Sequence, residues 1–209
     1  MYIPAAFQED ELGALQEIMR SVRLANLVTA TEGGLFATPL PFLLAPDEGP
    51  NGTLYGHVAR ANPHWGLQSQ GEALVIFMGP DAYVSPSCYP SKQEHHKVVP
   101  TWNYVTVHAY GEVEFFQEES RLLDVVTKLT ARHEQSRTNP WAVADAPADY
   151  IKTMLKGIIG VRLPVSRLEG KRKLSQNRTV KDQEAVVKAL SQSPLEAERG
   201  VAQLMSSSQ

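Results

Sequence analysis

Cysteine is almost absent from this sequence: Cys88 is the single one among 209 residues. One thiol cannot close an intrachain disulfide, so no covalent framework holds the fold, and a reducing compartment is the expected setting. Charge excess of either sign is missing too. Twenty lysines and arginines face 23 aspartates and glutamates, for a net charge of -3 and a pI near 6.1. That balance excludes whole-chain attraction to nucleic acid or to an anionic membrane. No apolar run approaches the length of a membrane span, and Met1 to Pro4 soon meets Glu9, Asp10 and Glu11 rather than the apolar stretch of a signal peptide. The expectation is a soluble, cytoplasmic protein. The chain also lacks a P-loop, a Rossmann glycine fingerprint and a serine nucleophile elbow. Its six histidines do not fall at zinc-ligand spacing, since His95 and His96 are adjacent and point in different directions in any regular element. No context marks Cys88 as a nucleophile, so it reads as a small packed side chain.

What is present suits a packed domain: 43% hydrophobic residues and only 21% charged. Leu12, Leu15, Ile18, Met19 and Val22 recur at helical spacing and predict an opening amphipathic helix over 9–22. Two strand-like runs, Leu24 to Thr31 and Leu35 to Leu44, flank Glu32-Gly33-Gly34 and predict a hairpin. Further strands are expected over Thr53 to Val58, Ala73 to Met78 and Ile158 to Leu163, with one bent strand or two strands from Val98 to Phe116, turning near Gly111. Helices are expected after Asn62-Pro63 up to about Gly71, over 118–133, from about Asp145-Ala146-Pro147, and through a polar tail that frays into Ser206 to Ser208. Strands dominate the first half without βαβ alternation. The fold class predicted is mainly β with helical additions, an α+β antiparallel barrel. The expected division is one domain over 1–180 and a C-terminal helical tail over 181–209.

Three segments are too polar and too oddly composed for plain scaffold. In Gly56-His57-Val58-Ala59-Arg60-Ala61-Asn62-Pro63-His64-Trp65, a strand end runs into a helix start. Helix N-termini expose backbone donors, and Arg60 adds a charged fork, which together suit a phosphate. The bland alternative is a capping turn with a surface arginine. In Tyr83 to Lys92 and Val99 to Tyr104, aromatics alternate with prolines and hydroxyl residues. Such loops can wall a planar heterocycle, or simply fill a core. In Leu168 to Arg178, a basic cluster precedes hydroxyl and amide donors. It can bind phosphate, a flavin edge or DNA backbone, or be a solvated face.

The stretches MYIPAAF, LYGHVARANPHW, IFMGPDAYVSP, KVVPTWNYVTVHAYGEV and GKRKLSQN, in this order from Met1 to about Leu190, resemble the PaiB family of FMN-binding negative transcriptional regulators. The resemblance implies a split β-barrel holding FMN at the interface of a homodimer. It implies flavin contacts from His57, Ala59, Arg60, Asn62, Lys92, Pro100, Thr101, Trp102, Asn103, Lys173, Ser175, Gln176 and Asn177. GHVARAN takes the place of the phosphate site and WNYVTV that of the strand bordering the flavin ring. Three positions depart from the family pattern: Cys88 and Arg172 stand where tryptophan is usual, and Thr38 where histidine is common. Other readings are a flavin-dependent oxidoreductase of the FMN reductase or pyridoxamine phosphate oxidase kind, and a haem-binding relative. No residue stands out as a general acid or base, and no metal is expected. Without a helix-turn-helix, DNA contact through Lys171, Arg172, Lys173 and Arg178 is expected to be weak or indirect.

Overall fold

The computed structural model describes residues 1–207. Ser208 and Gln209, the end of the polar tail, lie outside the described residues. In chain order the elements are β1 (Gln8–Glu9), α1 (Leu12–Ser21), β2 (Ala25–Thr31), β3 (Gly34–Leu40), β4 (Leu43–Ala45), β5 (Thr53–Ala59) and β6 (Ala73–Val84). There follow α2 (Ser91–His95), β7 (Thr101–Gly111), β8 (Glu114–Phe116), α3 (Glu119–Glu134), α4 (Ala148–Leu155), β9 (Ile158–Pro164), β10 (Arg167–Lys173), α5 (Val180–Ser191) and α6 (Glu196–Ser206). The strand pairings given below are antiparallel, as expected, and the strand order of neither sheet closes into a barrel.

The chain divides into two compact units: Met1–Ile18, Met78–Val107 and Glu169–Gln209 form the first, and Met19–Phe77 with His108–Leu168 the second. Strands β6 and β7 each pass from one unit into the other along the chain.

In the first unit the strand order is β1-β10-β7-β6. Gln8 pairs with Lys171 and Glu9 with Gly170. Val84, Val105 and Val107 are fully buried, and Val186, Leu190, Val201 and Met205 bury the inner stripes of α5 and α6. Each such side chain taken from water contributes about 1.5–3 kcal/mol before entropy is counted. Thr179 caps α5 by accepting from Asp182 N at 3.2 Å. Asp182 in turn accepts from Ser91 N at 3.1 Å and Ser91 Oγ at 2.8 Å, which pins α5 to the start of α2.

In the second unit β2 and β3 form the predicted hairpin, registered from Ala25↔Leu40 to Thr31↔Gly34. Its turn is closed by Thr31 Oγ1 donating to Gly34 O at 2.8 Å, with Gly34 at a φ of 105° that favours glycine. β6 adds to β2, and a separate sheet runs β4-β5-β9-β8. Helix α3 packs Leu122, Val125 and Leu129 against Phe116 and Leu155. At the end of β7, Gly111 lies so close to Pro164 O that any Cβ there would collide with backbone.

Three sequence expectations shift. The helix expected after Asn62 is one 3-10 turn, Pro63–Gly66. His64 is drawn into the core, Gly66 follows it, and Gln70 N donates to Ala30 O, so a tertiary bond replaces further helix. Strand β6, expected to end at Met78, continues through Gly79-Pro80 to Val84. The basic segment, to which the sequence pattern assigned no element, begins as a strand, β10.

Candidate functional site

The Gly56–Trp65 segment lies wholly in the second unit. His57 is half-buried on β5 opposite Gly160, and its Nδ1 is buried with no hydrogen-bond partner among the described residues. Burial lowers its pKa below the usual 6.5. Ala59 ends β5, and Asn62 N donates back to Ala59 O at 2.9 Å to close a tight turn. Arg60 N donates to Gly157 O at 2.8 Å. The Arg60 guanidinium donates from Nε to Lys156 O and at 2.9 Å to Gln117 Oε1. Asn62 is the cap that the sequence indicated: its Oδ1 accepts from His64 N at 3.0 Å and its Nδ2 donates to Thr38 Oγ1 at 3.2 Å. The turn it caps has only four residues, too short to align a helix dipole on a ligand.

His64 was not singled out from the sequence as a site residue, yet it is the polar centre of this segment. It is 1% exposed, its Nε2 and Nδ1 each 2.8 Å from a threonine hydroxyl, Thr29 and Thr38 respectively, with Phe36 and Phe115 rings beside it. Burial lowers its pKa. Thr38, one of the departures from the family pattern, thus serves as a partner of His64.

The other candidate residues lie in the first unit, where the start of β7 meets the chain leaving β10. Lys173 Nζ donates to Thr101 Oγ1 and at 2.8 Å to Trp102 O. Asn103, fully buried, donates from Nδ2 to Ser175 Oγ at 2.9 Å and accepts from the same hydroxyl at 3.2 Å. Ser175 has a φ of 65°, in the left-handed region. Gln176 clamps this turn: its Oε1 accepts from Leu174 N at 2.7 Å and its Nε2 donates to Arg172 O. Asn177 and Pro100 are exposed. Lys92 is half-buried on α2, with Nζ 3.4 Å from Ser87 Oγ. Trp102 is 53% exposed and Tyr83 46%, and their rings meet edge to face at 5.9 Å. The structure therefore brings Thr101, Trp102, Asn103, Lys173 and Ser175 together around the Lys173 ammonium and the Ser175 hydroxyl.

This corner is rich in cations. Lys171 is buried between the rings of Tyr2 and Tyr104, at 5.6 and 5.3 Å, and donates to Tyr2 O. Burial lowers the pKa of Lys173; the charges of Lys171 and Arg178 act in the same direction, and Tyr104 opposes them. Arg178 lies 4.8 Å over the ring of Tyr89. The Tyr89 hydroxyl is buried, with Arg178 and Ser175 as its hydrogen-bonding neighbours. Burial raises its pKa, and Arg178 moderates the rise.

Residues 1–167 match the family described as "Putative FMN-binding domain". The chain belongs to this FMN-binding family. FMN is its cofactor. The protein named protease synthase and sporulation protein PAI 2 of Bacillus subtilis is 31% identical over 206 residues, covering 98% of this chain and 96% of that protein. The PaiB resemblance read from the sequence stands on this relative. Protein AN0679 of Emericella nidulans is 32% identical over 223 residues, covering 90% of this chain and 89% of that one. Among solved structures, the FAD and haem binding protein of Mycobacterium smegmatis superimposes with a TM-score of 0.60 at 16% identity, covering 85% of this chain and 78% of that chain. The flavocytochrome Anf3 of Azotobacter vinelandii does so with a TM-score of 0.57 at 15% identity, covering 83% and 70%. At such identities the likeness is one of fold, and it places the FMN-binding chain among split-barrel proteins.

The donor set fits a flavin nucleotide. FMN needs an apolar face for its ring system and cationic or hydroxyl donors for its phosphate. In the first unit the exposed Trp102–Tyr83 pair offers the one, and Lys173, Arg178 and Ser175 offer the other. Arg178 and Tyr89 lay within segments that the sequence marked, but nothing in their spacing separates them from neighbouring arginines and tyrosines.

Proposed function

We propose that this FMN-binding protein is a PaiB-type negative transcriptional regulator that works in the cytoplasm as a homodimer, with the flavin at the dimer interface. The supporting observation is Lys173, anchored on Thr101 Oγ1 and Trp102 O, which sets a cation beside exposed aromatic rings. In the first unit the proposed flavin contacts are Lys92, Pro100, Thr101, Trp102, Asn103, Lys173, Ser175, Gln176 and Asn177. In the second unit they are His57, with its unpartnered Nδ1, Ala59, Arg60 and Asn62. Arg60 keeps guanidinium N–H groups beyond the two used on Lys156 and Gln117. Bound FMN supplies any redox chemistry, and the chain supplies position and hydrogen bonds. No helix among the described residues is long and apolar enough to cross a membrane.

The test is an absorption and flavin-fluorescence titration of the purified protein with FMN, with sedimentation run alongside. Flavin bands perturbed by binding, a mass twice the 23.1 kDa chain and weakened binding in Trp102→Ala are the expected results. A Soret band in place of flavin bands moves the reading to a haem protein. Rapid NAD(P)H oxidation by the loaded protein moves it to an oxidoreductase.

A further inference from the structure

Between α3 and α4, wholly inside the second unit, lies a groove of about 650 Å3 that the flavin reading leaves unused. Leu123 and Thr127 line it from α3, and Ile151 and Leu155 from α4; each pair is four residues apart and so shares a helix face. Val143 and Leu155, 9% and 5% exposed, form the floor where the groove meets the core, and Leu123 is left 40% exposed on its wall. The connecting segment carries alanine at every second position from Ala142 to Ala148, side chains too short to fill the space. Open apolar walls of this kind lack the contacts that an apolar ligand would supply. The volume falls in the range of about 300–1,000 Å3 that suits a small molecule. The rim is charged and unbalanced. Glu119 and Asp149 face the groove with Lys152, and none of the three is in an ion pair among the described residues. Two carboxylates against one ammonium favour a cation and disfavour an anion.

We infer that this groove binds a small lipophilic cation, an apolar ring-sized body that carries one protonated amine. The body displaces water from Leu123, Val143, Ile151 and Leu155, and the amine meets the rim carboxylates. The groove shares no residue with the proposed flavin contacts, and the inference does not rest on them.

The probe is dansylcadaverine, a naphthalene sulfonamide with a primary ammonium tail. N-butyl dansylamide is its neutral analogue and N-dansyl-6-aminohexanoate its anionic one. Each is titrated into the full chain, with and without excess FMN, and followed by dansyl emission and calorimetry. The cationic probe binds with a blue-shifted emission, about tenfold or more tighter than the anionic one, and FMN does not displace it. Glu119→Gln combined with Asp149→Asn weakens the cationic probe by about two- to thirtyfold and leaves the neutral one unchanged. Ala144→Leu fills the groove and weakens all three probes. The double variant keeps every core side chain, so it reports binding even if Ala144→Leu fails to fold. No binding to wild type, equal affinity for the three head groups, or indifference to the double variant overturns the site. Displacement by FMN, or loss of binding in Trp102→Ala, puts the probe elsewhere and overturns it too. A chain that binds dansylcadaverine with this preference but does not bind FMN keeps the groove and refutes the flavin reading.

Discussion

Ser175 offers a test in which strain and hydrogen bonding pull in opposite directions. Its φ of 65° costs an L-residue about 1–2 kcal/mol relative to glycine. Its hydroxyl both accepts from and donates to Asn103, and the two residues are 4% and 0% exposed. Ser175→Ala keeps the strain and removes both bonds, leaving the Asn103 amide, among the described residues, with only Met205 Sδ at 3.6 Å. An unsatisfied buried polar group costs about 1–3 kcal/mol, so the alanine variant should lose about 2–3 kcal/mol. Ser175→Gly loses the same bonds but recovers the strain, and should be more stable than the alanine variant by about 1 kcal/mol. Urea unfolding midpoints of the three proteins measure this. A double-mutant cycle with Asn103→Ala should return a coupling of about 1 kcal/mol or more. If the glycine variant is no more stable than the alanine variant, the strained conformation is not what this turn enforces. If neither variant moves the midpoint, the buried Asn103–Ser175 pair contributes nothing to stability.

Two further outcomes are expected. Gly111→Ala drives a methyl into the Pro164 carbonyl, a backbone atom that cannot rotate away, and should cost at least about 1–3 kcal/mol or abolish soluble expression; a wild-type midpoint would show that the strand end yields freely. His57 and His64 have lowered pKa values because they are buried, so the unfolded chain takes up their protons first, near pH 6.5. Stability should therefore be full above that pH and fall below it, by at most about 1.4 kcal/mol per pH unit for each histidine. Denaturation midpoints at pH 8 and pH 5.5 measure the fall, and His64→Gln should flatten it; a pH-independent midpoint would refute the assignment.

Much of the scaffold was written locally. Period-two alternation and the Gly33-Gly34 turn specify the β2–β3 hairpin, the spacing of Leu122, Val125 and Leu129 specifies α3, and Asn62-Pro63 marks a cap. Composition fixed the absence of a disulfide framework, and the GHVARAN, VPTWNY and KLSQN stretches carried the family. Local rules failed where a distant partner decided. The strand expected over Ala73 to Met78 runs on through Gly79-Pro80 to Val84, with Gly79 packed so close to Val105 O that a Cβ would lie at only 3.2 Å. The charges of Lys171 and Lys173 left a binding cluster and a solvated face both open, and only pairing with β1 and shielding by Tyr2 and Tyr104 bury Lys171 within a strand. The sequence alone thus determined the elements and the family, because hydrophobic period and turn chemistry act over a few residues. Only the tertiary structure decided that Asn103 meets Ser175, that His64 lies between two threonines, and that the Tyr89 hydroxyl is buried beside Arg178 and Ser175. Those outcomes depend on which side chains share a buried space after distant segments pack, and spacing along the chain carries no record of that.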